Sequence, residues 1–469
     1  MWNFYKFKSN VALSDGNEDV YYSDLIKYSK KIVNKLRKKS LTVILVNNSI
    51  SSLVCYISLL KKRFPILILD ERVSKKNLNK IIKLYEPENI CLSTHNSYLK
   101  NNNNFKLNFF FKNFQFLKTI KKNNFKVKNN LSVLATTSGS TGSAKLVRQS
   151  YDNIQSNTYS IIKYLKIKYD NVTITSLPLS YTFGMSVINT HLEIGSKIIV
   201  TNKSIIEKKF WEIFSKEQVN TVYGVPYTFE ILNKLNFFSR DAKNLKLLAQ
   251  AGGKISENLQ KKISTYAKKY QKLFFIMYGQ AEATTRISYL PYKKFDKKIG
   301  SIGIPIPGGK IRLVDEKRRV IKNSNKIGEI VYEGKNVCMG YALDKDDINK
   351  KNEWRNRIYT GDLAKRDREG YYYIVGRKKR FSKIYGLSVN LDEIENLLKS
   401  KFNNYNFAVI SKKNKIQIFL NAIGINDSVI NFLKRNTLIH INSYEIILVK
   451  EIPTLSNGKN NYKVLSDYS

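Results

Sequence analysis

The stretch TTSGSTGSAKLVRQS (136–150) sets hydroxyl side chains, small residues and one cation in a series suited to a polyphosphate. Thr136, Thr137, Ser138, Ser140 and Thr141 are interleaved with Gly139 and Gly142 ahead of Lys145. Glycines let backbone N–H groups approach an anion, hydroxyls add donors, and the lysine adds a point charge. Residues 131–135, LSVLA, read as a strand that delivers the chain into this loop, a setting that phosphate-binding loops use. A flexible linker has a similar composition, so the loop alone leaves both readings open. It does not fit the P-loop pattern. Its two glycines stand too close together, and Leu146 follows the lysine where Ser or Thr belongs.

The elements around this loop alternate between short apolar runs and helical patterns. Residues 23–36 space Leu25, Ile32, Val33 and Leu36 along one helix face behind Ser23 as N-cap. LTVILV (41–46), PILILD (65–70), NVTITSLPL (171–179), KIIVT (197–201) and NTVYGVP (220–226) read as strands. Strands that alternate with helices predict an α/β fold of mostly parallel sheet covered by helices. Residues 95–130 are Asn-rich and read as a loop, although Phe105, Phe109, Phe110, Phe111, Phe114 and Phe116 argue against disorder. From about 310 onward KIRLVDEKRRVI, GEIVYEG and GYYYIVG read as strands joined by turns. Residues 389–402 read as an acidic-led amphipathic helix, and YEIILV (444–449) as a last strand.

Composition bounds the function. A chain of 469 residues predicts at least two domains, and 42% apolar residues supply their cores. Lys+Arg number 81 against 37 Asp+Glu, a formal net charge of +44. The cations are spread along the whole chain, so no nucleic-acid partner is expected. The surface would instead attract ATP, phosphorylated cofactors or an acidic carrier protein. Cys55, Cys91 and Cys338 lie far apart, as do the three histidines, so neither a disulfide framework nor a zinc site is expected. The N-terminus has no signal-peptide core and no apolar run reaches membrane-span length. A cytoplasmic protein without a membrane span is expected.

The series T-S-G-S-T-G-x-x-K resembles the phosphate loop of the adenylate-forming superfamily, which includes acyl-CoA synthetases, luciferases and peptide-synthetase adenylation domains. Further segments follow in that superfamily's order: SLPLSYTFGMS (176–186), YGVPYTFEIL (223–232), QAGGKIS (250–256), MYGQAEAT (277–284), GEIVYEGKNVCMGY (328–341), YTGDLAKRDREGYYYIVGRKKRFSKIYG (359–386) and PTLSNGKNN (453–461). The resemblance covers nearly the whole chain. It implies a large N-terminal adenylation domain over 1–378, with helix-covered sheets and a β-rich, distorted barrel-like subdomain. It also implies a small mobile α+β C-terminal domain over 379–469, turning on a hinge near Lys379.

Site roles come with the resemblance. Thr137 to Gly142 and Lys145 would hold the ATP phosphates. Gly252, Gly253, Tyr278, Gly279 and Gln280 would border the adenine, with Tyr278 stacking on the base. Asp362 would accept the ribose hydroxyls, and Arg377 would neighbour ribose and phosphates. Glu282 is implied as the Mg²⁺ ligand, a hard oxygen of the kind that ion requires. Lys459 would lie between the attacking carboxylate and the α-phosphate, neutralising developing charge. Gly386 would face the thiol acceptor in a second orientation of the small domain. Tyr181 and Gly184 fall on the acyl side. The sequence departs from the pattern at Ala281, where a threonine is expected, at Leu146, at Ser388 and at Tyr181. Thr284 or Thr285 could replace the hydroxyl missing at Ala281.

The expected reaction is ATP-dependent activation of a carboxylic acid, then transfer to CoA or to carrier-protein phosphopantetheine. Amino-acid-activating relatives carry an Asp after the Phe of this loop, where Gly184 stands here. A buried ammonium left unpaired is costly, so a plain carboxylic acid, apolar or fatty, is expected. Two other readings stay open: a stand-alone amino-acid or aryl-acid adenylating enzyme, and a degenerate cationic binding protein.

Overall fold

The computed structural model describes the chain except residues 38–39, 97–103, 122–124, 129, 137–144, 385–386, 413, 438, 456–459 and 469. The chain divides into two compact units. One comprises Met1–Ile311 with Tyr332–Ile358, and the other Arg312–Val331 with Tyr359–Ser469.

The first unit is built on two sheets with parallel centres and antiparallel edges. In one, Thr42–Val46 pairs in parallel with Ile66–Asp70 and Asn89–Ser93, and Ile66–Asp70 with Leu131–Thr136. All five residues of Thr42–Val46 are buried. Ile44 and Val46 enter one core while Val43 and Leu45 enter another, because successive side chains leave opposite faces of a strand that is covered on both. In the second sheet Thr221–Gly224, Leu247–Gln250 and Leu273–Tyr278 run parallel. The antiparallel strands Ser288–Leu290 and Ile304–Pro305 extend that edge. Helices Ile50–Lys61, Tyr151–Leu165 and Thr182–Glu193 carry the buried residues that fill the space beside these sheets.

The second unit has its own core. Strands Phe407–Lys412, Lys415–Leu420 and Tyr444–Leu448 form a sheet. Helices Leu391–Lys401 and Asn426–Asn436 bury Ile394, Leu398, Val429 and Leu433 in the same cluster. Separately, Gly309–Val314, Gly328–Gly334, Arg357–Arg366 and Tyr372–Arg377 make a four-stranded sheet in that order.

Three local expectations differ. The helix begins at Tyr22 rather than after a Ser23 cap, and the Asp24 carboxylate accepts the Tyr21 backbone N–H at 3.1 Å. The strand expected over 171–179 is only Val172–Ile174, because the Ser176 N–H turns back onto the Ile174 carbonyl at 2.9 Å and leaves the ladder. Residues 105–119, expected as loop, form the antiparallel pair Phe105–Phe111 and Phe114–Thr119. There Phe109 stacks on Phe116 at 4.4 Å. Paired aromatics outweigh the Asn-rich composition around them.

Candidate active site

Lys145 opens the strand Leu146–Ser150, which pairs antiparallel with Leu131–Thr136 on one side and with Tyr341–Ala342 on the other. The phosphate-loop residues Thr137, Ser138, Gly139, Ser140, Thr141 and Gly142 join the first two strands and lie outside the described residues. Lys145 Nζ sits 3.6 Å from the centroid of the Tyr341 ring. The Tyr341 hydroxyl donates to Glu282 Oε1 at 2.8 Å, and Trp354 packs edge-on against the same ring. Lysine, tyrosine and glutamate thus form one contiguous group. Burial first, and then the negative charge of Glu282, hold the Tyr341 phenol protonated well past its usual range. Glu282 is half-buried, and its Oε2 has no partner among the described residues. Such an oxygen suits Mg²⁺, which takes one or two carboxylates and fills its remaining positions with phosphate oxygens and water.

Arg148 fixes this arrangement from beneath. Fully buried, it donates to the carbonyls of Tyr341, Lys350, Met339 and Lys351 and pairs with Glu353. Asn336 fixes the other side. Its Nδ2 donates to the carbonyls of Ala283 and Arg286, and its Oδ1 accepts the Tyr332 hydroxyl. The turn held in this way places Thr284 at φ +48° and Thr285 at φ +106°, backbone that β-branched residues rarely adopt. Ala281 is buried against Val147 and Cys338, so no hydroxyl stands there. Neither neighbouring threonine is idle. Thr284 donates to the Asn336 carbonyl at 2.6 Å, and Thr285 donates to the Thr182 hydroxyl at 2.8 Å.

The residues expected around the base occupy the ends of parallel strands. Gly252 and Gly253 are exposed just past Leu247–Gln250, with Gly252 at φ +89° and the Gly253 carbonyl accepting from Gln250 Nε2. Tyr278 ends strand Leu273–Tyr278 and is half-buried, as are Gly279 and Gln280. A Cβ on Gly279 would lie 1.8 Å from the Thr285 carbonyl oxygen, so only glycine allows the two backbones to approach this closely.

On the acyl side, Tyr181 precedes helix Thr182–Glu193 and is half-buried. Gly184 lies within that helix, and a Cβ there would meet the Pro178 carbonyl oxygen at 2.2 Å. The backbone itself therefore excludes the aspartate that an ammonium would need.

In the second unit Asp362 and Arg377 face each other across the hairpin of Arg357–Arg366 and Tyr372–Arg377. Arg377 Nε lies 3.4 Å from Asp362 Oδ1, with the aspartate side chain 12% and the arginine side chain 62% exposed. The rest of the basic run is not a uniform solvated patch. Lys378 pairs with Glu329, and Arg380 with Asp392 and Glu395. Lys379 is exposed and makes no ion pair among the described residues. Gly386 and Lys459 lie outside the described residues.

Tyr341, Asn336 and Arg148 form the site without belonging to any recognised motif position. Tyr341 and Asn336 stood inside GEIVYEGKNVCMGY, where the glycines drew notice and the side chains did not. No helix among the described residues is long and apolar enough to cross a membrane.

A family model described as AMP-binding enzyme matches residues 2–342. The chain is 29% identical over 281 residues to a long-chain-fatty-acid–CoA ligase of Escherichia coli O157:H7, covering 58% of this chain and 48% of that protein. It is 28% identical over 262 residues to a 2-succinylbenzoate–CoA ligase of Oceanobacillus iheyensis, covering 56% and 52%. The chain thus spans about half the length of these curated relatives. The solved structure of O-succinylbenzoate coenzyme A synthetase from Bacillus subtilis, in complex with ATP and magnesium ion, superposes with a TM-score of 0.78 at 17% identity over 100% of both chains. That likeness shows the fold: mixed α/β with large sheets.

Proposed function

Because the chain belongs to the AMP-binding enzyme family, we propose that it activates a carboxylic acid with ATP and passes the acyl group to a thiol. The observation that carries this reading is the Lys145–Tyr341–Glu282 group at the end of a strand whose preceding loop has phosphate-binding composition. In the first half-reaction a carboxylate oxygen attacks the α-phosphorus, the bond to pyrophosphate breaks, and an acyl-adenylate forms. In the second, a thiolate attacks the acyl carbonyl, AMP leaves, and the thiol proton passes to solvent.

Residues 137–142 and Lys145 bind the phosphates. Glu282 would hold Mg²⁺, which would supply positive charge against the repulsion between the phosphates and an incoming carboxylate. Gly252, Gly253, Tyr278, Gly279 and Gln280 border the base, and Asp362 with Arg377 receives the ribose. Lys459 bridges the two anions in the first half-reaction, and Gly386 faces the thiol in the second. We place the boundary at 378/379, with Lys379, exposed and without an acidic partner among the described residues, as the hinge. CoA as the thiol is supported by the names of the relatives, while an acidic carrier protein would suit the +44 charge equally. A reducing, cytoplasmic setting is supported by three cysteines that are all free and buried. Activation of an α-amino acid is disfavoured by the backbone contact at Gly184.

Acid-dependent exchange of pyrophosphate into ATP tests the reading. Exchange that requires Mg²⁺ and falls by about 100-fold or more in Lys459→Ala is expected for a charge-neutralising group. Absence of exchange with every acid in a broad panel, alongside salt-sensitive nucleic-acid binding, would favour the binding-protein reading.

A further inference from the structure

Two arginines in the first unit are buried, and they differ in one respect. Arg148 spends its donors on four carbonyls and a carboxylate. Arg286, 3% exposed, has no carboxylate partner among the described residues. Its Nε is buried with no acceptor, and Nη1 makes only a long 3.4 Å bond to the carbonyl of its neighbour Thr285. The guanidinium lies 4.1 Å from the centroid of Phe183, one residue before Gly184 on the acyl side. The Tyr164 hydroxyl lies close to it, and Tyr223, also close, has a buried hydroxyl without a partner among the described residues.

Further orphan donors stand nearby. A small cavity is lined in part by Gln149, Asn157, Thr182, Ser186 and Thr284. Gln149 Nε2 and Asn157 Nδ2 are buried there without partners. Thr182 and Thr284 adjoin Phe183 and Thr285, the residues that touch Arg286. A buried cation with unused donors is costly to maintain unless an anion completes it, and truncating one partner of such a pair is heavily penalised. Arg286 Nε, Gln149 Nε2 and Asn157 Nδ2 can only donate, so what completes them is rich in acceptors, while an acceptor orphan close by, His191 Nε2, packs beside the Tyr223 ring.

We propose that the acid this chain activates carries a second anionic oxygen group, a carboxylate in the simplest case, which pairs with the Arg286 guanidinium beside Phe183. The inference rests on the acid-activating reading above and revises the apolar or fatty acid expected from sequence. One carboxylate reacts and the other anchors. Arg286 is then a specificity-determining residue, since its planar fork takes a carboxylate in two parallel bonds.

The test is pyrophosphate exchange with matched acids: linear monocarboxylic acids against dicarboxylic acids of the same length. The wild-type protein is expected to favour the dicarboxylic member by about 100-fold or more in kcat/KM, as a desolvated charge pair provides. Arg286→Met is expected to reverse the preference, and Arg286→Lys to retain it at reduced strength. Dicarboxylic acid alone should raise the melting temperature of the wild type and not of Arg286→Met. Equal or better use of monocarboxylic acids by the wild type overturns the proposal and leaves acid activation standing. Exchange with no acid at all overturns both. If Arg286→Met does not fold, the wild-type ratio decides the matter by itself.

Discussion

Glu282 and Tyr341 show how one hydroxyl can set the chemistry of a carboxylate. With Oε1 occupied by the Tyr341 hydroxyl, Oε2 is the oxygen left for the cation proposed above. Glu282→Gln keeps the hydrogen bond and removes the charge, so exchange should fall by about 100-fold with the melting temperature nearly unchanged. Tyr341→Phe keeps the ring beneath Lys145 and frees Oε1. A rise in the Mg²⁺ concentration needed for half-maximal exchange is expected, with a loss of about 10-fold in rate, the range in which metal second-sphere changes fall. An unchanged Mg²⁺ titration in Tyr341→Phe would show that the hydroxyl does not orient the carboxylate. The sequence exposed Glu282 through its motif. It could not expose Tyr341, because a tyrosine in a glycine-rich strand has no signature until the fold sets it against a carboxylate 59 residues away.

At the scale of elements, the site depends on backbone approach as much as on side chains. Strand Leu273–Tyr278 and the turn after it meet through Gly279, where added bulk collides with the Thr285 carbonyl. Gly279→Ala should cost about 3 kcal/mol or more in urea unfolding, the upper end for overpacking against rigid backbone. Gly184→Asp, the change that would install an ammonium partner, should destabilise for the same reason rather than recruit amino acids. A folded Gly184→Asp variant that activates an α-amino acid would refute the steric account. Parallel strands such as 41–46 and 65–70 were legible because both faces are buried and the runs are almost wholly apolar, with Thr42 and Asp70 the exceptions. The hairpin of 105–119 was not, because its order comes from pairing with Asn89–Ser93, which composition does not encode.

For the whole molecule, charge and burial make separate predictions. With a net charge of +44, the field is expected to draw in polyanions from a distance. Raising ionic strength shortens the Debye length to below about 10 Å beyond 0.1 M, so the apparent KM for ATP should climb with salt. A KM flat in salt would mean that the charge is evenly screened and without consequence for binding. Stability should also depend on pH through His191. Burial lowers its pKa from 6.5 to about 4, opposed in part by the Val187 carbonyl. Between those values the unfolded chain binds a proton that the folded chain refuses, so stability is full above about pH 6.5 and declines as pH falls toward 4. The loss amounts to about 3 kcal/mol across the window. Urea unfolding of wild type and His191→Gln at several pH values checks this, and the variant should show the shallower slope.

The order of motifs from Thr137 to Lys459 was a property of the sequence alone, because each motif is a short run whose chemistry is local and whose spacing is set by the chain. From it followed the family and the α/β class, which matching residues 2–342 and the parallel sheets now show. What tertiary structure alone decided is how side chains distant in sequence share a surrounding. Arg148 and Arg286 are the same residue type, both buried. Only the fold gives one of them a cage of carbonyls from 339–351 and leaves the other facing Phe183 with no carboxylate among the described residues. Burial and pairing are sums over long-range neighbours, and no local pattern contains them.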